Sequence, residues 1–220
     1  MIKKSRKIPF LFPFRFSATT SLLIANIICF VVFSILLLIK PEFIDYIALK
    51  PSNIFQGKYI WTFLTSMFMH GGFFHLFVNM LSLMFVGKLV EKILGTKRYV
   101  LFYLASGLFA GFLFVMSSLV LTSDYNAFAV GASGALFGFI GLLMILTPNL
   151  PVYIMFIPIP IKMKYAGFGM LAGLWLISIL GGIPLGNIAH LGGVLSGLAF
   201  GIYLKVKYKK KTRYIQKLFS

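Results

Sequence analysis

From Ala18 the chain runs twenty-two residues, ATTSLLIANIICFVVFSILLLI, without a charged side chain. A stretch that long and that apolar matches the ~20 residues an α-helix needs to cross a bilayer core of ~30 Å. It follows a basic opening segment, MIKKSRKIPFLFPFRFS, in the charge order of a secretory signal. However, the run is too long for one, and no small-residue cleavage pattern follows. It therefore predicts a first membrane span, Ala18–Ile39.

Further apolar runs follow at 73–89, 99–122, 132–147, 165–183 and 189–204. The fourth is closed by Pro148-Asn149, and the fifth opens after the stiff stretch Ile157-Pro158-Ile159-Pro160. Hydrophobic residues make up 60% of the 220 positions and charged ones only 11%, whereas a soluble domain is about a quarter charged. Such a chain cannot hide its apolar surface from water. A disordered tail, a disulfide scaffold and an ordinary cytosolic enzyme are excluded. The expected fold is all-α, a polytopic bundle of six transmembrane helices over 18–205, flanked by basic segments 1–17 and 206–220, with no repeat or second domain. Residues 40–69, with Pro41, Pro51 and several aromatics, read as a long, partly membrane-embedded connection.

The formal charge is +17, from 21 Lys+Arg against four acids, Glu42, Asp45, Glu91 and Asp124. The cations cluster at span ends, a signature of topology and anionic lipid rather than of nucleic acid. Six spans put both termini on one side. That side carries Lys3 to Arg15, Lys88 to Arg98, Lys162, Lys164 and Lys205 to Lys217, which is 18 of the 21 cations. The other side balances Lys40, Lys50 and Lys58 against Glu42, Asp45 and Asp124. The positive-inside rule then makes both termini cytoplasmic. The short chain with no added domain suggests a bacterial cell membrane. Cys29 is the single cysteine, so no internal disulfide can form and the thiol reads as filler.

Polar groups inside spans are costly and mark cavities or function. All three histidines fall at the outer ends of spans: His70 and His75 at the second, and His190 in the sixth. Asn79 follows His75 at i+4, on the same helix face. Ser133 opens the fourth span within Gly131-Ala132-Ser133-Gly134. A serine alone commonly bonds its own helix backbone, and a lone histidine at a span end is commonly an anchor, so only the combination carries weight. Spans two, four and six run in one direction. His75 to Lys88 is 13 positions, Ser133 to Thr147 is 14 and His190 to Lys205 is 15. At 1.5 Å per residue these are about 20–22 Å above the inner boundary, some 10 Å below the outer one. The fourth span is too short to cross alone, so residues 124–131 must dip inward. That is tolerated only where irregular backbone is buried or lines a wet cavity.

Gly134 and Gly138 are spaced i+4, as are Gly193, Gly197 and Gly201, and small residues let helices approach closely. A Ser133–His190 hydrogen bond across a tight contact between spans four and six is then plausible, although the glycines are equally compatible with plain packing. Imidazole is suited to activating a serine hydroxyl near neutral pH. No carboxylate lies in the spans to orient it, so the pair would be a dyad. Phe137, one turn after Ser133, could stack on His190 or simply fill core. His75, Asn79 and the Ser133 backbone N–H, at a helix N-terminus, are candidate oxyanion donors. Three histidines could instead bind zinc, but there is no HExxH and no nearby carboxylate. A transporter or channel would suit the short span four, but no inverted repeat is visible.

At these residues the sequence resembles the rhomboid family of intramembrane serine proteases. Three patterns match in order and spacing: His70-Gly-Gly-Phe-Phe-His75-Leu-Phe-Val-Asn79, Gly131-Ala-Ser-Gly134 and Ala189-His190-Leu-Gly-Gly193, within a similarity over about 55–205. The resemblance implies a six-helix core, Ser133 as nucleophile, His190 as base, His75 and Asn79 at the oxyanion, and His70 supporting the loop and water nearby. It implies a serine endopeptidase that needs no cofactor and no metal. Its partners would be the lipid bilayer and transmembrane proteins cut near the outer face, at small residues followed by helix-weakening ones. Many members carry Trp-Arg in the loop after the first span. Here Trp61 precedes Thr62, so that loop's salt bridge would be absent or replaced. A non-catalytic relative that binds or retains membrane clients is the alternative.

Overall fold

In a computed structural model, residues 17–154, 158–182 and 186–219 are described. The basic opening segment 1–16, Ile157 of the stiff stretch and the end of the fifth run at Ile183 lie outside them. Among the described residues five helices are long and apolar enough to cross a membrane: α1 (Ala18–Ile39), α2 (Phe73–Leu94), α3 (Thr96–Ser117), α5 (Met163–Gly181) and α6 (Asn187–Lys207). The sixth, α4 (Ser133–Leu146), has 14 residues. A short basic helix, α7 (Lys209–Lys217), follows α6.

α4 is apolar all round, which suits only a central position. Twelve of its residues are buried, from Gly134 to Met144 and Leu146. The other helices pack around it. A Cβ at Gly193 would strike the Gly134 carbonyl, one at Gly197 the Gly138 carbonyl, and one at Gly141 the Val194 carbonyl. These contacts run in parallel register, so α4 and α6 touch backbone to backbone. α3 lies antiparallel to both. Ala110 Cβ would meet a Cβ at Gly134 at 2.7 Å. Ser106 Oγ bonds Ser196 Oγ at 2.6 Å, and Ser196 donates on to the Gly193 carbonyl at 2.7 Å. Aromatic rings close the lower half: Tyr99 stacks on Phe139 at 5.0 Å, and Phe102 on Phe200 at 4.7 Å. α1 and α5 are peripheral, with exposed faces such as Ile27, Ile28, Leu176 and Ile179. In a bilayer those faces meet lipid, where apolar exposure carries no penalty.

The helix limits differ from the apolar runs in one instructive way. α2 continues past its apolar part through a π-turn at Leu83–Gly87 to Leu94, and Gly95, at φ +78°, ends it. α3 then begins at Thr96, within what reads as a basic loop. The connection at 40–69 is a chain of short helical turns, Pro41–Phe43, Ile44–Ile47, Pro51–Phe55, Thr62–Thr65 and Ser66–Phe68. It contains a Lys50–Asp45 ion pair at 3.5 Å, with Asn53 Nδ2 donating to the same carboxylate oxygen at 2.8 Å. Trp61 Nε1 donates to the Tyr46 carbonyl at 3.0 Å, and Thr65 to that of Ile47 at 2.8 Å. These contacts stand where Thr62 leaves no arginine. The segment before α4 is stitched onto the same connection by a Leu49–Ala129 bridge, with N···O distances of 3.1 and 2.8 Å. A two-residue hairpin, β1 (Pro151–Val152) with β2 (Ile161–Lys162), is a small addition to an all-α fold.

Candidate active site

Because α2, α4 and α6 are parallel, their N-terminal ends meet at one end of the bundle. Ser133 is the first residue of α4 and His190 sits in the first turn of α6. Their side chains are 2.8 Å apart, Ser133 Oγ to His190 Nε2. The glycine contacts one and two turns further down set that distance, since any side chain at Gly193 would push the helices apart. His190 is 7% exposed, and its Nδ1 has no hydrogen-bond partner among the described residues. Phe137 lies against the ring, centroids 4.6 Å apart and tilted 31°. If Nε2 accepts the serine proton, the imidazole hydrogen is on Nδ1, and what holds the ring is packing rather than a carboxylate.

Gly131 shapes the approach. It sits at φ +116°, a conformation that side-chain-bearing residues rarely adopt. A Cβ there would be 2.8 Å from His75 Cε1, 2.9 Å from His75 Nε2 and 3.8 Å from Ser133 Oγ. The missing side chain therefore lets the His75 ring pack directly against this turn, next to the serine hydroxyl. The Gly131 N–H donates to the Ser66 carbonyl at 2.8 Å, pinning this turn to the long connection. The first N–H groups of a helix have no intrahelical acceptor, so the backbone N–H of Ser133 is not taken up within α4. His75 Nδ1 receives a long bond, 3.4 Å, from the Gly71 N–H. This leaves Nε2 as the protonated, donating nitrogen.

The remaining residues fall into place unequally. His70 is 4% exposed and packs edge-on against His75 at 5.3 Å between centroids. Neither of its ring nitrogens has a well-formed hydrogen bond, and burial, with His75 beside it, lowers its pKa to about 4. Asn79 is 4% exposed and faces inward, but its Nδ2 donates to the His75 carbonyl at 2.8 Å, one turn back on its own helix. Its contact is thus with the backbone that carries His75. Its second amide hydrogen makes no further hydrogen bond among the described residues. Sequence reasoning missed Ser66, Ser106 and Ser196, which fix the turn and the α3–α6 contact. Their signal is weak, since serine in a span so often bonds its own helix. Among the described residues no cluster of three or more His, Cys, Asp or Glu is placed to hold a metal ion.

The Rhomboid domain model of protein families matches residues 57–207. The chain belongs to the rhomboid family. RHOMBOID-like protein 1 of Arabidopsis thaliana is 36% identical over 165 residues, covering 73% of this chain and 38% of that protein. RHOMBOID-like protein 6, mitochondrial, of the same plant is 35% identical over 162 residues, 71% of this chain and 48% of the relative. Rhomboid-type serine protease 2 of Emericella nidulans is 33% identical over 152 residues, 64% of this chain and 26% of the relative. The chain thus spans less than half the length of each of these rhomboid relatives. They come from a plant and a fungus and lend nothing to a bacterial origin. The matched residues, 57–207, take in the last part of the long connection and all of α2 to α6, so the rhomboid domain is the multi-pass helical bundle itself.

Proposed function

We propose that this rhomboid protein is an intramembrane serine endopeptidase acting on transmembrane proteins near the outer membrane face. The observation that carries the reading is the 2.8 Å approach of Ser133 Oγ to His190 Nε2, with His75 packed against the Gly131 turn beside them. His190 Nε2 takes the hydroxyl proton as Oγ attacks the scissile carbonyl carbon. The oxyanion forms beside Ser133 Oγ, with the Ser133 N–H, His75 Nε2 and the second Asn79 amide hydrogen as its donors. The C–N bond then breaks, and the imidazolium returns its proton to the leaving amine. Water attacks the resulting serine ester, again with His190 as base, and frees the acid product. His190 works without a carboxylate, and stacking on Phe137 holds its ring in register. The relative named as a serine protease supports the same class.

The reading includes a domain at 18–205 with basic flanks at 1–17 and 206–220, both on the cytoplasmic face, as the cation distribution favours. The test is cleavage of a single-span substrate by the full chain in proteoliposomes, the cut mapped by mass spectrometry. Wild type is expected to cut near the outer face and to take a fluorophosphonate on Ser133. Ser133→Ala and His190→Ala are expected to lose both. Full cleavage by Ser133→Ala would overturn the dyad. Substrate capture without cleavage by the wild type would favour a client-binding protein.

A further inference from the structure

At the other end of the bundle, α3 and α6 part to leave an open cleft of about 750 Å³. It is unrelated to the serine and histidine, which lie where α4 and α6 begin. Its walls run from Arg98 through Leu101 and Ala105 to Phe109 on α3, and from Lys207 through Tyr203 and Ala199 to Ser196 on α6. Each wall spans 11 positions, about 16 Å at 1.5 Å per residue. That is the depth of one leaflet of a ~30 Å hydrocarbon core. The paired alanines, both exposed, keep the cleft open midway, and the half-buried Ser106–Ser196 bond lies at its deep end.

The mouth is built differently from the walls. Arg98 donates to the Tyr208 hydroxyl at 3.3 Å, with its guanidinium 5.4 Å from that ring's centroid. Lys207 donates to the Tyr203 hydroxyl at 2.6 Å and lies 5.9 Å from the Tyr208 ring. Two cations from different helices are thus fixed around one tyrosine, with neither in an ion pair among the described residues. A cleft apolar for one leaflet's depth and doubly cationic at its rim complements one kind of molecule.

We propose that the α3–α6 cleft is a binding site for a single anionic phospholipid, its phosphate between Arg98 and Lys207 and one acyl chain lying along Ala105 and Ala199 towards Ser106. Basic pockets between transmembrane helices hold anionic headgroups in this manner. The site lies on the leaflet that faces the end of α6, and it does not depend on the protease reading.

The test is retention of lipid by the full-length protein in detergent, titrated with equal amounts of dioleoyl phosphatidylglycerol and dioleoyl phosphatidylcholine and read by native mass spectrometry. Wild type is expected to keep one phosphatidylglycerol in preference to phosphatidylcholine. Arg98→Gln with Lys207→Gln is expected to lower that retention about 30-fold, at roughly 1 kcal/mol per cation. Ala105→Phe, which fills the cleft with the charges intact, is expected to lower it as well. Lys209→Gln with Lys210→Gln, the same loss of charge on α7, is expected to leave it unchanged. Equal retention of the two lipids, or equal loss in the α7 pair, would overturn the site. So would displacement of the lipid by glycerol 3-phosphate at matching concentration, which would mark a free-phosphate site. A dimer that Ala105→Phe dissociates would reassign the cleft to a second copy.

Discussion

Glu91 Oε2 accepts both the backbone N–H of Thr19, at 2.9 Å, and its hydroxyl, at 2.7 Å. The other carboxylate oxygen takes the Ala18 N–H at 2.9 Å and the Thr96 hydroxyl at 3.2 Å. The last turn of α2 therefore caps the first turn of α1, where orphan N–H groups and the helix dipole favour a negative charge. The Thr19 hydroxyl also reaches Tyr99 on α3 at 3.0 Å. One carboxylate thus joins three helices at the end of the bundle away from the serine.

Glu91→Gln is expected to lower stability by roughly 1–3 kcal/mol, the range for hydrogen bonds to a charged group left half-satisfied. Thermal unfolding in detergent checks it, in a cycle with Thr19→Val. If the contact is a unit, the double variant loses less than the sum of the singles. Strict additivity would mean that Glu91 acts elsewhere.

Glycine replacement should divide sharply by position. Gly197→Ala puts a methyl onto the Gly138 carbonyl at the α4–α6 contact, and backbone cannot move aside as a side-chain tip can. A loss of about 2 kcal/mol or more is expected, at the upper end of overpacking costs. Gly173 lies mid-helix in α5 with nothing within 4 Å of an added Cβ, so Gly173→Ala should stabilise by about 0.4–1 kcal/mol through the unfolded chain. The thermal midpoints of the two variants should move in opposite directions.

Much of this arrangement is legible from the amino acids, because membrane length is a hard constraint and a polar residue in an apolar run is conspicuous. The runs around Ala18, Phe73, Tyr99, Ser133, Tyr165 and His190 each hold a helix. The close approach of Ser133 to His190 follows from residue spacing once glycines mark the contact face. Helix ends were harder. The segment from Lys88 to Leu94 carries three charges and reads as the end of a span, yet the helix continues through it, with Glu91 bonded to α1, a partner that only the tertiary structure supplies. The turns within 40–69 are too short to show a period. They are fixed instead by contacts such as Trp61 to the Tyr46 carbonyl and Leu49 to Ala129. Spacing also places Asn79 beside His75 without showing that its amide turns back to the His75 carbonyl.

Acid should weaken the loop end of the fold through His70. Its pKa is lowered to about 4, mainly by burial, so the folded protein keeps the ring neutral where the unfolded chain would protonate it. Between pH 6.5 and about 4 the unfolded state then binds the extra proton, and stability falls as pH falls. The loss has an upper bound of about 3–4 kcal/mol, at 1.36 kcal/mol per pKa unit. Thermal midpoints measured from pH 7.5 to pH 4.5 should decline in wild type and decline less in His70→Gln. Parallel curves would assign the acid sensitivity to other groups.

The hydrogen bond from Asn79 to the His75 carbonyl makes two roles for Asn79 separable. If its free amide hydrogen meets the oxyanion, Asn79→Ala should lower kcat by roughly 10²–10³-fold, the range for one lost donor, with KM little changed. If it only steadies the backbone that bears His75, the variant should lose stability while cleavage by the folded fraction persists. Asn79→Asp distinguishes them further, because the carboxylate cannot donate and would repel a developing negative charge. The donor role therefore requires Asn79→Asp to be at least as slow as Asn79→Ala in single-turnover cleavage of a transmembrane substrate. It also requires fluorophosphonate labelling of Ser133 to slow in parallel, since in that role the phosphonyl oxygen would draw on the same donor. A fast Asn79→Asp enzyme would leave the Ser133 N–H and His75 as the oxyanion donors.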